Sequence, residues 1–109
     1  MIPKQCHLWQ KEKIDSSDFN FEEIKTYFES SHEWRHLKRC KQCGQLYISD
    51  NIEWVDYFDG NDEVNTQLVP VSEEELKQYD FEKISSCEIL LLLPRIYWGP
   101  KDDVEWIGK

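Results

Sequence analysis

Two cysteines and a glycine form the part of this sequence whose spacing points most clearly to chemistry. Cys40 and Cys43 are separated by two residues, and Gly44 follows at once. A tight turn with this spacing points both sulfur atoms to the same side. Glycine readily adopts the positive φ that turns backbone N–H groups toward the thiolates. The spacing is typical of a zinc knuckle, so Cys40 and Cys43 are candidate metal ligands.

Further ligands have to come from elsewhere in the chain, because a closed structural zinc site needs four and the sequence has no second C-x-x-C pair. Cys6 and His7 lie on a strand-like piece near the N-terminus that could reach the knuckle, and His36 lies four residues before Cys40. These residues complete the candidate set for one structural zinc. Two alternatives stay open: a tight turn with free thiols, and redox use of the C-x-x-C pair. Redox use would need a helix that begins at the first cysteine, and the residues after Gly44 look like a strand.

Catalytic residues are not indicated by any motif. The sequence contains no nucleophile elbow, no H-E-x-x-H and no glycine-rich phosphate loop. His32 and His36 have the spacing of neighbours on a helix face, but the surrounding pattern is not helical. We therefore expect no enzymatic activity, and no cofactor beyond the one structural zinc that the cysteines could hold.

Negative charge is concentrated in one third of the chain. The formal net charge is −9, and residues 50–82 carry eleven acidic side chains and a single basic one, Lys77. Such a surface repels nucleic acid and attracts cationic partners. The plainer interpretation, which stays open, is that the acidic surface only keeps a small protein soluble.

Aromatic side chains are interleaved with these carboxylates. Aromatic residues are the usual anchors of protein interfaces, and surrounding carboxylates would steer a cationic protein toward them. Trp54 shares the alternation of Leu46 and Ile48 and is assigned to the core, whereas Tyr57 and Phe58 lie near a turn and are expected at an interface. The candidate partner-binding residues are Glu53, Asp56, Tyr57, Phe58, Asp59, Asp62, Glu63, Glu73 and Glu74.

The first element expected to support these residues is a helix over about 20–30. Asn20 and Glu23 have the spacing of a capping box. Apolar residues then recur with helical periodicity at Phe21, Ile24, Tyr27 and Phe28. The aromatic stripe of this helix is expected to face the core.

The centre of the chain is predicted to form strands. Residues 33–39 have an ambiguous pattern and are expected to form a strand that enters the knuckle. Over 45–57, alternation with a period of two predicts one long strand, or two short ones broken at 50–51. Residues 59–62 are a strong turn signal, and 64–71 alternate again as the return strand. Together they predict an antiparallel hairpin of 45–57 with 64–71.

Two short helices are predicted after the hairpin. Ser72 with Glu75 forms a capping box that begins a helix over 73–79. The apolar run before Pro94 follows a cap signal, which favours a short buried helix over 86–93, although a buried strand stays open.

The whole chain is expected to form a single α+β domain over 1–109, with a last strand at 104–107. It combines an antiparallel sheet, a central hairpin, about three short helices and a zinc-knuckle-like turn. No apolar run approaches the roughly 18 residues of a membrane span, and the N-terminal residues lack the apolar core of a secretory signal. We therefore expect a cytoplasmic protein without a membrane partner.

Basic residues offer only a weak footprint for nucleic acid. Those near the knuckle are Arg35, Lys38, Arg39 and Lys41, beside Trp34. Against eleven acidic residues in the stretch that follows, this small group does not favour a nucleic-acid partner.

The residues around the knuckle resemble a set of small uncharacterised bacterial proteins. The shared features are a C-x-x-C-G-Q-L-Y core at 40–47, an acidic W-x-D turn that begins at Trp54, a proline–valine strand end at 68–71 and the closing residues 106–109. In size, charge and composition the chain also resembles immunity proteins of bacterial toxin systems, including contact-dependent inhibition. This resemblance implies a protein that binds and neutralises a cognate cationic toxin, for example a nuclease. The alternative is a structural zinc-ribbon-like module in a nucleic-acid-linked or regulatory assembly.

Overall fold

The computed structural model describes residues 1–60 and 62–109, which form one antiparallel sheet of six strands and three short helices. The strands follow one another across the sheet in chain order. Their bounds are β1 Phe21–Glu29, β2 Glu33–Cys40, β3 Leu46–Trp54, β4 Glu63–Val71, β5 Arg95–Trp98 and β6 Val104–Ile107. The helices are α1 His7–Gln10, α2 Glu73–Gln78 and α3 Ser86–Ile89. The α+β class is confirmed.

Both faces of the sheet are covered, each by a different segment of the chain. Residues 1–19, which we call the N-terminal cover, pack on one face; residues 72–94, the helical cover, pack on the other. Under the N-terminal cover the core consists of Cys6, Leu8, Ile14, Cys40, Tyr47, Leu68 and Ile96. Under the helical cover it consists of Leu37, Ile48, Val69, Val71, Phe81 and Ile89. Because successive strand residues point to opposite faces, β3 is buried along most of its length.

The helix predicted over 20–30 is wrong, because these residues form the edge strand β1. In the pairing of β1 with β2, neither Ile24 nor Tyr27 has a partner position. Each is the extra residue of a β-bulge, which lets the strand change the face that its side chains occupy. Apolar residues three apart on a strand with two bulges therefore imitate the spacing of a helical stripe.

The pairing of β3 with β4 extends from Leu46 opposite Val71 to Trp54 opposite Glu63. The residues that connect these two strands include the predicted turn at 59–62. Asn61 of that turn lies outside the described residues. Residues 33–40 form the predicted strand β2, and residues 104–107 form the predicted last strand β6.

Helix α2 begins as its sequence predicts. The Ser72 side chain accepts a hydrogen bond from the Glu75 backbone N–H at 3.1 Å, and the Glu75 carboxylate accepts one from the Ser72 N–H at 3.0 Å. The helix predicted over 86–93 is only partly formed, since α3 ends at Ile89, whose side chain is buried, while Leu91 is exposed. The short strand β5 was not predicted from the sequence.

Trp54 was assigned to the core, and this is wrong because its side chain is exposed. It lies on the face of the sheet that carries the helical cover, at the last position of β3. The helical cover starts after Val71, at the opposite end of the β3–β4 pair. Alternation identified the face of Trp54, but at the end of β3 this side chain is left largely uncovered by the described residues.

A buried ion pair attaches the helical cover to the sheet. Arg35 of β2 lies opposite Asp50 of β3, and its Nε donates to the Asp50 carboxylate at 2.8 Å. The same guanidinium donates from Nη1 to the carbonyls of Phe81 and Ile84, at 2.9 and 2.7 Å. One charged side chain therefore joins two strands and the cover.

Helices long and apolar enough to cross a membrane are not found among the described residues.

Candidate metal centre and aromatic loop

Three cysteines from two distant parts of the sequence meet beneath the N-terminal cover. The sulfur atoms of Cys6, Cys40 and Cys43, which we call the cysteine cluster, all lie within 4.8 Å of one another. Cys6 and Cys40 are fully buried, Cys43 is half-buried, and all three are free thiols. The candidate ligands Cys40 and Cys43 are thus joined by Cys6, as the sequence suggested.

The turn between β2 and β3 places two of these sulfurs. The Gly44 N–H donates to the Cys40 carbonyl at 2.8 Å, and the Cys40 N–H donates to the Gln45 carbonyl at 2.8 Å. Gly44 has a φ of +81°, in the left-handed region that favours glycine. This conformation closes the C-x-x-C-G segment into a tight turn with both thiols on its inner side.

The third sulfur is placed by α1, which replaces the strand-like N-terminal piece that the sequence suggested. Cys6 is the residue before the helix, and Leu8 within it is fully buried. The indole N–H of Trp106 donates to the Leu8 carbonyl at 2.8 Å, and the rings of Trp9 and Trp106 meet edge to face at 5.0 Å. The last strand thereby fixes α1 on the sheet.

His7 lies beside the cysteine cluster, next to Cys40. Its Nδ1 lies 3.8 Å from the Cys40 sulfur, and its Nε2 lies 3.0 Å from the Asp18 carbonyl oxygen. A carbonyl can only accept, so Nε2 carries the proton and donates. The lone pair of Nδ1 is then directed toward Cys40.

Two neighbouring groups act on the sulfur atoms. The Tyr47 hydroxyl donates to the Cys6 sulfur at 3.1 Å, and burial raises the pKa of Tyr47 far above its ordinary value, so this hydroxyl keeps its proton. Burial also raises the pKa of the Cys43 thiol, while a hydrogen bond from the Gln45 backbone opposes that rise. The contact of His7 with Asp18 was not recognisable from the sequence, because it uses a main-chain carbonyl.

His36 is not part of this centre. Its two ring nitrogens contact the carboxylates of Glu23 and Glu29, at 2.8 and 2.9 Å, on the exposed side of β1. These three side chains could themselves hold a metal ion, although exposed acidic groups are common without one. The proposal of His36 as a ligand beside Cys40 is therefore not supported by the geometry.

The segment that begins at Trp54 presents three aromatic side chains to solvent. We define the aromatic loop as residues 54–60 with 62 and 63. Trp54, Tyr57 and Phe58 are 64%, 87% and 99% exposed. The Asp56 carboxylate accepts from the N–H groups of Phe58 and Asp59, both at 3.0 Å, which gives the loop a defined turn.

The predicted partner-binding residues do not form one surface. Two of them, Glu73 and Glu74, lie in the first turn of α2, beyond the end of β4. The nine residues of β4 separate them from the aromatic loop, a length of roughly 26 Å at strand geometry. The residues in or next to the loop are Glu53, Asp56, Tyr57, Phe58, Asp59, Asp62 and Glu63. Glu53 is engaged with His32 at 3.2 Å.

The basic residues near the knuckle are also divided. Arg35 is buried against Asp50, and Arg39 forms a surface pair with Glu22. Half of this group is therefore already engaged within the chain.

A comparison of the chain with protein-family models, with curated proteins and with solved structures finds no significant match.

Proposed function

We propose that the protein is a cytoplasmic, non-enzymatic immunity protein that binds and neutralises a cognate bacterial toxin with a basic surface. The observation that carries the proposal is the exposure of Trp54, Tyr57 and Phe58 in a loop rich in carboxylates. Contiguous exposed apolar surface on a small protein marks an interaction site. Burial of these rings against a partner would supply affinity, since aromatic residues dominate interface energetics.

The charge around the loop selects the kind of partner. Residues 50–76 contain no lysine or arginine, so the loop carboxylates are not neutralised from within their own segment. An open hollow of about 440 Å³ is lined by residues 54–58 and Glu63. A lysine or arginine side chain of the toxin would fit there against the aromatic rings, with Asp56 and Glu63 close to its charge.

Neutralisation then requires no catalysis by this chain. A bound immunity protein covers a basic surface that the toxin needs for its own activity, and the acidic loop speeds the encounter. The loop is held by Asp56 before binding, which limits the conformational entropy that binding must remove.

The experiment that tests this function measures binding to the C-terminal domain of a toxin encoded immediately upstream. In about 0.15 M salt, we expect Asp59→Lys with Glu63→Lys to lower the association rate by about tenfold or more, because the steering field is reversed. Glu73→Lys with Glu74→Lys is the matched control. It makes the same charge change, but its site lies more than a Debye length from the loop, so the rate should change by less than about threefold.

Two results would contradict the proposal. One is the absence of any complex between the wild-type chain and that toxin domain. The other is an association rate that responds equally to the loop variant and to the α2 variant, which would mean that the loop is not the contact surface.

A second candidate function is a zinc-stabilised structural module, and the cysteine cluster favours it. Three thiols that converge without forming a disulfide have the donor chemistry of a structural zinc site. The cluster lies near the start of β3 and the aromatic loop begins at its end, so the two candidates are compatible in one chain. The nucleic-acid-linked form of this candidate has less support, because Arg35 and Arg39 are engaged.

A further inference from the structure

We propose that Cys6, His7, Cys40 and Cys43 form one closed zinc site with three thiolates and one imidazole. The inference names the ligands of the structural-zinc candidate and is independent of any toxin partner. Four protein ligands of these types match the Cys₃His set of structural zinc centres. His7 and His36 are both candidates for the fourth ligand on the sequence alone, and the groups that orient the set are not identifiable from it.

The separations between the sulfur atoms suit one ion. Two sulfur ligands of a tetrahedral zinc lie roughly 3.8 Å apart, as follows from zinc–sulfur bonds of about 2.3 Å. The three sulfur atoms lie within 4.8 Å of one another. His7 Nδ1 lies 3.8 Å from the Cys40 sulfur but is farther than 4.8 Å from at least one of the other two sulfurs, so the His7 ring has to move toward them when the ion binds. A contraction of about 1 Å or less brings the sulfurs to ligand spacing.

The orientation of His7 is the observation that singles it out. A zinc-bound imidazole generally donates its other N–H to a carbonyl or carboxylate, which fixes the ring and its tautomer. His7 makes this bond from Nε2 to the Asp18 carbonyl at 3.0 Å. In the neutral tautomer that makes this bond, the nitrogen without a proton is Nδ1, which faces Cys40.

One of the sulfur atoms has a supporting donor as well. The Tyr47 hydroxyl donates a hydrogen bond to the Cys6 sulfur. Such a hydrogen bond stabilises a thiolate in a site where water is largely excluded. Because Cys6 and Cys40 are fully buried and all four ligands come from the protein, no position is left for a substrate, and the role is structural.

The consequence is a link between distant segments. Cys6 and His7 belong to the N-terminal cover, and Cys40 and Cys43 belong to the β2–β3 turn. Zinc would close this connection across more than thirty residues of chain, so metal binding and docking of the cover would be one event.

The test uses the full chain, purified under reducing conditions and loaded with zinc or with cobalt(II) as a spectroscopic substitute. We expect native mass spectrometry to find one zinc per wild-type chain. The cobalt form should show the visible bands of a tetrahedral site with several thiolates. Cys87→Ser is the matched control, because Cys87 is an exposed cysteine of α3, and it should bind zinc as the wild type does.

Substitutions of the ligands and of their neighbours should lower the affinity for zinc to different extents. Cys43→Ser, at the half-buried position, should abolish stoichiometric zinc. His7→Ala should weaken zinc by more than the roughly 10–100-fold that follows loss of a supporting group, and should shift the cobalt bands. Tyr47→Phe removes only a supporting donor and should stay within that 10–100-fold range.

Two results would overturn the inference. Failure of the reduced wild-type chain to take up zinc would reject the site without needing any variant to fold. Full zinc affinity and unchanged cobalt bands in His7→Ala would reject the ligand set. Neither result bears on toxin binding, which is measured separately.

Discussion

The two covers of the sheet are attached by different chemistry. The helical cover is held by Arg35, whose guanidinium reaches Asp50 and two main-chain carbonyls. The N-terminal cover is held where Cys6 and His7 meet the β2–β3 turn. Arg35 and Cys40 belong to the same strand and face opposite sides of it. One strand thus carries an attachment point for each cover, while Trp106 of β6 provides a second one for the N-terminal cover.

The two attachments differ in whether the chain itself supplies every bonding partner of the groups involved. The Arg35–Asp50 pair is complete, since both side chains are 1% exposed and buried side-chain N and O atoms of the described residues all have hydrogen-bond partners. The cysteine cluster consists instead of soft donors whose strongest common partner is a metal ion. The helical cover is therefore held by a pair that the chain supplies itself, whereas under the zinc proposal the N-terminal cover would gain part of its attachment from the metal.

The largest expected effect tests the complete attachment. Arg35→Met should lower the free energy of unfolding by about 3–5 kcal/mol, because it leaves the Asp50 carboxylate buried without its charge partner. It also leaves the carbonyls of Phe81 and Ile84 without a donor. Urea unfolding monitored by tryptophan fluorescence measures the change.

Arg39→Met is the matched control for that substitution. Arg39 lies on the same strand but forms its pair with Glu22 at the surface, where such pairs contribute about 0–1 kcal/mol. A loss for Arg35→Met no larger than that for Arg39→Met would show that the buried pair does not hold the helical cover.

A smaller effect is expected from removal of the metal. At free zinc 100-fold above its dissociation constant, zinc binding stabilises the folded state by about 2.7 kcal/mol. Chelation should therefore remove about that much, and hydrogen exchange should accelerate in the N-terminal cover. Exchange in the helical cover should change less, because Arg35 holds it without metal. Equal acceleration of hydrogen exchange in both covers would show that they do not differ in their dependence on the metal.

The sequence predicted those elements whose signals are local. Alternation located β3 and β4, and the position of residues 33–39 before the knuckle indicated β2. The reciprocal hydrogen bonds of Ser72 and Glu75 begin α2 as the capping box indicated. The failure at β1 has a local cause too, because the bulges at Ile24 and Tyr27 gave a strand the spacing of a helix.

All three residues of the cysteine cluster were candidates on the sequence alone, but the choice between the two candidate histidines was not predictable. The C-x-x-C-G spacing identified Cys40 and Cys43, but His36 was as good a candidate on spacing as His7. The path of the N-terminal cover decides between the two histidines, and it depends on contacts such as that of Trp106 with Leu8, almost one hundred residues apart. Spacing along the chain carries no information on such contacts.

The smallest effect on stability is expected in the aromatic loop, in contrast with both covers. Tyr57→Ser with Phe58→Ser should change the free energy of unfolding by less than about 0.5 kcal/mol, because both rings are exposed and hold nothing in place. Phe81→Ala is the aromatic control from the helical cover, and it should cost about 3–5 kcal/mol because its ring is buried.

The same loop variant should release the toxin domain much faster, since loss of an interface anchor typically costs about 2 kcal/mol or more in binding. If the loop variant keeps its stability but loses binding to the toxin domain, the two rings serve to recognise the toxin. A large loss of stability in the loop variant would instead mean that Tyr57 or Phe58 packs against the chain in solution, and the loop would then belong with the covers.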